Sequence, residues 1–188
     1  MKRELTLSIA RANLLGALMI IPTLLLGLLY LFIWASNSEA TSITFSPSKL
    51  LLFLVIAFLG IILHELIHGL TWAWLGRQPF GVIKFGFKSL TPYAHCTVPL
   101  PARAYRWGTL MPGLLLGILP YLLSLLLGSF PLMLLALFFT LGAGGDALIL
   151  WLLHGVAADQ LVADHPTAVG CYLIDKADHQ IPSTPPGS

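Results

Sequence analysis

The sequence predicts an all-α polytopic membrane protein: four transmembrane helices, with a small cytoplasmic β-hairpin-like insertion between the second and third. Three observations carry that expectation. The 188 residues are 57% hydrophobic and only 10% charged, with a mean hydropathy of +0.87. A soluble domain carries about 25% charged residues, so this chain lacks the charge to cover a water-facing surface. Four apolar runs reach the roughly 20 residues that cross a bilayer. Finally, the cations cluster on one side of those runs.

In chain order, residues 1–13 form a polar N-terminal segment holding Lys2, Arg3 and Arg11. The first apolar run, Leu14–Trp34, is too long for the hydrophobic region of a secretory signal. A Ser/Thr-rich loop, Ala35–Lys49, leads to the second run, Leu50–Leu75. The long connection from Arg77 to Arg106 follows, and connections of that length inside a compact protein are often functional. Within it, Phe80–Lys88 and Tyr93–Val98 carry aromatic and β-branched residues around Thr91-Pro92, which reads as a β-hairpin; a plain amphipathic loop is the alternative. A hairpin edge beside a catalytic centre would hold an unwound substrate strand by strand addition. The third run, Gly108–Leu127, contains Pro112 and Pro120 as expected kinks, and a tight turn at Gly128–Pro131 opens the fourth, Pro131–Leu153. Residues 14–154 thus make the membrane domain, with 50–154 as its core. The tail, 155–188, is polar and acidic, and 181–188 (IPSTPPGS) reads as disordered.

Charge sets the expected orientation. Of the ten Lys and Arg, only Lys49 falls in a segment that an N-inside arrangement places outside. The positive-inside rule therefore puts both termini and the long loop in the cytoplasm, where Cys96 and Cys171 are expected as reduced thiols. Two cysteines are also too few for a disulfide framework. A net charge of +2 with scattered cations gives no nucleic-acid footprint.

The second run contains Leu63-His64-Glu65-Leu66-Ile67-His68-Gly69. Ionisable groups at membrane depth are costly and mark function by default. His64 and His68 are four residues apart, so on a helix their imidazoles share one face and can take adjacent corners of a zinc tetrahedron. Glu65 is turned about 100° away, beside an ion rather than on it. In H-E-x-x-H peptidases that glutamate takes a proton from the attacking water and passes it to the leaving amine. The bland reading is a set of polar residues satisfied between helices.

A catalytic zinc needs a third protein ligand and one open position. The only carboxylates inside the four runs are Glu65 and Asp146. Asp146 follows Gly142-Ala143-Gly144-Gly145, small residues that let membrane helices approach closely. His64 lies fourteen residues beyond Leu50 and Asp146 fifteen beyond Pro131, so the two sit at nearly equal depth. Asp146 is the expected third ligand; its alternative is a protonated acid bonding between helices. His95 is open to three roles or none: orienting substrate, stabilising the oxyanion, or replacing Asp146. Cys96 is a weaker candidate ligand. Asp164-His165-Pro166 reads as a solvated turn, with a folded-back cap or a second metal site as alternatives. His154 is expected to snorkel to the interface, and His179 carries no signal.

HELIH in one span and Gly144-Gly145-Asp146 in a later one resemble the intramembrane site-2 proteases, whose zinc is held by H-E-x-x-H and a distant aspartate. The usual N-x-x-P before that aspartate is missing here, and Ala147 stands where a glycine normally follows. HELIHG, Pro92–Cys96 (PYAHC), GGD and Asp164–Tyr172 (DHPTAVGCY) are more similar to a family of small bacterial membrane proteins grouped as zincin peptidases. The resemblance covers roughly Leu50 to Asp175. It implies a zinc-dependent peptidase in a bacterial plasma membrane and gives no substrate.

The sequence thus leads to an intramembrane zinc metallopeptidase with Zn2+ on His64, His68 and Asp146 and with Glu65 as general base. Its expected partners are the lipid bilayer and membrane-embedded or membrane-proximal protein or peptide substrates. Oligomeric state is open. The main rival is a non-catalytic zinc-binding membrane protein serving assembly, sensing or transport, which would close the site with a fourth ligand. A metal-free scaffold is the other.

Overall fold

The computed structural model describes residues 2–42, 46–88, 91–165 and 168–175. The 181–188 segment, His179 and the tip of the hairpin lie outside the described residues. A short strand, β1 (Lys2–Leu7), precedes α1 (Ile9–Leu18), whose first turn is capped by the Ser8 hydroxyl accepting from the Arg11 N–H at 3.3 Å. After a break at Met19, α2 (Ile20–Ile33) continues the run, so residues 10–33 are long and apolar enough to cross a membrane. The longest helix, α3 (Pro47–Leu75), starts where Ser46 caps the Lys49 N–H and Pro47 takes the first position, where its missing N–H costs nothing.

The expected hairpin is present as β2 (Ile83–Lys88) paired antiparallel with β3 (Thr91–Cys96). Thr91 and Pro92, expected near the turn, instead open the second strand. A two-residue strand, β4 (Leu100–Pro101), leads into α4 (Ala102–Pro112), and a π-helical stretch (Gly113–Ile118) joins it to α5 (Leu119–Leu127). Pro112 and Pro120 each lack the N–H that would close a helical turn, and the wide turns fall between them. Residues 102–127 nevertheless run as one apolar segment of spanning length.

The fourth span is broken. Helices α6 (Phe130–Gly142) and α7 (Gly144–Leu152) meet at 42° around Gly142–Gly145, where small residues make a bend inexpensive. Among the described residues there are therefore three helical segments long and apolar enough to span, and a fourth only if the bent pair counts as one.

The all-α expectation is corrected by a four-stranded sheet. Strands β5 (Leu161–Asp164) and β6 (Val169–Ile174) join β1 and β4 in the antiparallel order β1-β6-β5-β4. Lys2 pairs with Ile174 and Leu7 with Val169. Neither terminal segment is long enough to form a stable helix alone, and pairing satisfies their backbone groups. Hydropathy windows miss both because each is only six residues long. The sheet ties the N-terminus, the end of the long loop and the tail together at one end of the helices.

Two cores follow. One joins Trp72, Ile83, Leu100, Tyr105, Val162 and Cys171 beneath the sheet and hairpin. The other, around Tyr30, Tyr121 and Met133, ties α2 to α5 and α6, with the Tyr121 hydroxyl donating to the Leu26 carbonyl at 2.8 Å. Elsewhere α2 and the outer part of α3 expose Leu25, Phe32, Leu51 and Phe58, a surface suited to lipid.

Candidate metal centre

His64, His68 and Asp146 meet. The ligand atoms of all three lie close together, from two helices separated by 82 residues in sequence. His64 Nε2 is 3.1 Å from Asp146 Oδ2, His68 Nε2 is 3.2 Å from Asp146 Oδ1, and the two Nε2 atoms are 3.2 Å apart. Zinc bound at 2.0–2.2 Å by nitrogen and oxygen in a tetrahedron spaces its ligands about 3.3 Å apart, and each of these three contacts, two of them to different oxygens of Asp146, is close to that spacing. The bend between α6 and α7 makes it possible, because it places Asp146 in the first turn of α7, where the positive end of the helix favours a carboxylate.

The hydrogen-bond chemistry points the same way. His68 Nδ1–H donates to the Gly108 carbonyl at 2.8 Å. In a regular helix that carbonyl would accept from the N–H of residue 112. Residue 112 is proline, so the carbonyl is left over and the histidine takes it. With Nδ1–H so engaged, His68 turns Nε2 toward a carboxylate oxygen and a second imidazole nitrogen. A single cation could accept from all three groups at once. A carbonyl holding the far nitrogen of a metal-binding histidine is the usual outer support of such sites.

Trp72 extends the ladder of His64 and His68 by another four residues. Its ring stacks on His68 at 5.2 Å, with planes 16° apart, and on Tyr105 at 5.5 Å, while its Nε1–H donates to the Tyr105 carbonyl at 3.1 Å. Gly108 is required here: a Cβ on it would sit 2.0 Å from Trp72 Cδ1. The glycine that ends HELIHG has a similar use, since a Cβ on Gly69 would lie 2.7 Å from the side chains of Ile83 and Phe85. The hairpin thus rests directly on the turn of α3 that carries the site.

Strand parity places the hairpin edge. Pro92 has no N–H and lies opposite Phe87, at a position whose N–H points away from β2; Ala94 and Cys96 share that parity. The outward-facing Ala94 lies beside the Glu65 carboxylate, and the Cys96 N–H donates to Asp164 Oδ2 at 3.2 Å. One outward N–H of the edge nearest the site is therefore taken by a carboxylate of this chain.

Among the described residues, His95 does not join the group of His64, His68 and Asp146. Its Nδ1–H donates to Asp164 Oδ2 at 2.6 Å, and this bond holds the imidazole pKa above its usual value. Asp164 also accepts from the Tyr105 hydroxyl, so this residue folds back onto the hairpin and α4, while His165 stacks on Tyr172 at 4.6 Å and Pro166 lies outside the described residues. Cys96 donates its thiol to the Val98 carbonyl at 3.3 Å, and burial pushes its pKa up. Burial, followed by the charge of Asp164, pushes Cys171 up to about 11. Both thiols thus stay protonated near neutral pH, unlike a zinc-bound cysteine. His154 is exposed at the end of its helix, donating to the Trp151 carbonyl. The Gly108 carbonyl, Trp72, Tyr105 and Asp164 are supports that the sequence reading did not assign. Trp72 was readable from its spacing on the histidine face.

No curated protein and no solved structure matches the chain. A family model does: residues 57–161, more than half of the 188, match the family described as "Putative zincin peptidase". That segment contains the whole H-E-x-x-H stretch, the hairpin and Asp146, and the chain belongs to that family.

Proposed function

We propose that this chain is a zinc-dependent metallopeptidase that hydrolyses peptide bonds of membrane-embedded or membrane-proximal substrates, cutting toward the cytoplasmic side of a bacterial plasma membrane. The observation that carries the reading is the convergence of His64, His68 and Asp146, whose side chains approach one another pairwise at 3.1–3.2 Å, with Glu65 one residue along the same helix. Among the described residues only three ligand groups converge, as suits a catalytic centre with an open position and not the closed site of a purely structural or sensing zinc. The pairing of both termini into one sheet beside the site supports a shared cytoplasmic side.

Bound zinc would supply a Lewis acid that polarises the scissile carbonyl and acidifies water. The chain's own residues do the rest. Glu65 takes the proton of the attacking water on a carboxylate oxygen and returns it to the leaving nitrogen, and Ala94 of β3 lies beside that carboxylate. The Gly108 carbonyl holds His68 in the tautomer that presents Nε2. Trp72 and the hairpin shield the inner side of the site from bulk water.

The test is Glu65→Gln in proteoliposomes carrying a transmembrane test substrate. Zinc content should remain at one per chain while cleavage falls by at least the roughly 10²–10⁴-fold that general acid–base catalysis supplies. A zinc-loaded variant that cleaves at the parental rate would remove the catalytic assignment.

A further inference from the structure

We infer that Asp164 is a positioning residue, a clamp in the C-terminal tail that holds both β3 and α4 against the metal centre. Its carboxylate is 18% exposed and collects donors from two separate elements. Oδ2 accepts from His95 Nδ1–H and the Cys96 N–H on β3, and Oδ1 accepts from the Tyr105 hydroxyl on α4. Each of those elements makes one contact that the site depends on. Strand β3 places Ala94, two residues before Cys96, beside the Glu65 carboxylate. Helix α4 offers the Gly108 carbonyl to His68, three residues after Tyr105. Tyr105 also stacks on Trp72, which stacks on His68, so an unbroken line of contacts runs from Asp164 to a metal ligand.

The clamp follows from donor accounting. The Tyr105 ring is buried, at 4% exposure, and the Cys96 N–H points off the hairpin edge where no sister strand can take it. Buried donors without acceptors are costly. One carboxylate satisfies both, and it arrives on β5, whose partner β6 is pinned by β1. The terminal sheet is thereby made a support of the catalytic base and of the histidine tautomer, although no sheet residue touches the metal triangle.

The catalytic part of this inference rests on the peptidase reading; the clamp does not, so two measurements are paired. Full-length protein in detergent or liposomes is compared with Asp164→Ala and Asp164→Asn by hydrogen exchange and, with the test substrate, by kcat and KM. Amides of residues 91–101 should exchange faster in Asp164→Ala while those of 169–174 stay protected. At equal zinc content kcat should fall by about 10–100-fold, the usual cost of losing an outer-shell partner, with KM little changed. Asp164→Asn, which keeps an acceptor for Tyr105, should lie between. If Asp164→Ala does not insert, His95→Ala and Tyr105→Phe each remove one donor and leave the carboxylate. The same order of effects is expected from them, smaller in size. Parental exchange across 91–101 overturns the clamp, and faster exchange with parental kcat overturns its catalytic role. Failure of the peptidase reading would show separately, as undiminished cleavage by Glu65→Gln.

Discussion

Helix α3 is two helices in one. Its outer half, from Pro47 to Phe58, presents Leu51, Leu52, Leu54 and Phe58 outward, each more than half exposed, and buries little besides Ala57. Its inner half, from His64 to Leu75, buries His68, Gly69, Thr71 and Trp72 against α4 and the hairpin. Both halves are apolar by composition. They differ in what solvates them: lipid can cover leucine, but it cannot accept from Nδ1–H of His68 or from the Trp72 indole. The inner half is polar only where a carbonyl, a carboxylate or a backbone N–H meets it. Apolarity along α3 therefore does not separate its two halves; the partnered polar ladder at 64, 68 and 72 does.

The sharpest way to break this comparison is to truncate one residue in each half. His68→Ala removes a ligand and strands both the Gly108 carbonyl and an Asp146 oxygen. Zinc affinity should fall by more than the roughly 10–100-fold that an outer-shell change costs, read by equilibrium dialysis against a competing chelator. Leu54→Ala changes a lipid-facing side chain, 54% exposed, and should leave zinc affinity unaltered and stability within about 0.5 kcal/mol. If the two variants bind zinc equally, the inner half is not a metal site.

A smaller effect tests packing instead of ligation. Gly108→Ala would drive a methyl to 2.0 Å from the Trp72 ring, whereas Gly142→Ala meets nothing within 4 Å. Overpacking of this kind costs about 1–3 kcal/mol, and here it also pushes away the carbonyl that holds His68. Gly108→Ala should lower thermal stability and weaken zinc binding together; Gly142→Ala should do neither. Equal behaviour would mean that Trp72 has room the structure does not give it.

The sequence revealed the parts of this fold that depend on long or periodic signals. Four apolar runs, the two-histidine spacing, the equal depths of His64 and Asp146, and the β-branched and aromatic stretch that becomes the hairpin are all legible because each is local or additive. The sheet was not legible: β1 and β6 are six residues each, and what makes them strands is pairing across about 165 residues of chain. Asp164 stood out only as a short acidic motif, because its meaning comes from three donors on β3 and α4. The tautomer of His68 lay in between. Pro112 announces a free carbonyl at residue 108, but not which side chain will claim it.

The smallest expected effect concerns pH, and it separates the covered inner half of α3 from the lipid-facing outer half. Asp164 raises the pKa of His95 against some desolvation. A group whose folded pKa lies above its unfolded value contributes stability that is fully present below the unfolded value, near 6.5 for imidazole, and that is lost as pH climbs through the raised folded value. His95 is partly exposed, so solvent screens the pair and the effect is modest. Hydrogen exchange corrected for its intrinsic pH dependence should therefore show residues 91–101 loosening as pH rises above about 6.5. Residues 47–58, which carry no such pair, should not change. His95→Gln should flatten the profile of the first segment and leave the second as it was. A hairpin that tightens as pH rises would mean that the imidazole is held neutral, and that Asp164 fixes β3 through the Cys96 N–H and α4 through Tyr105 alone.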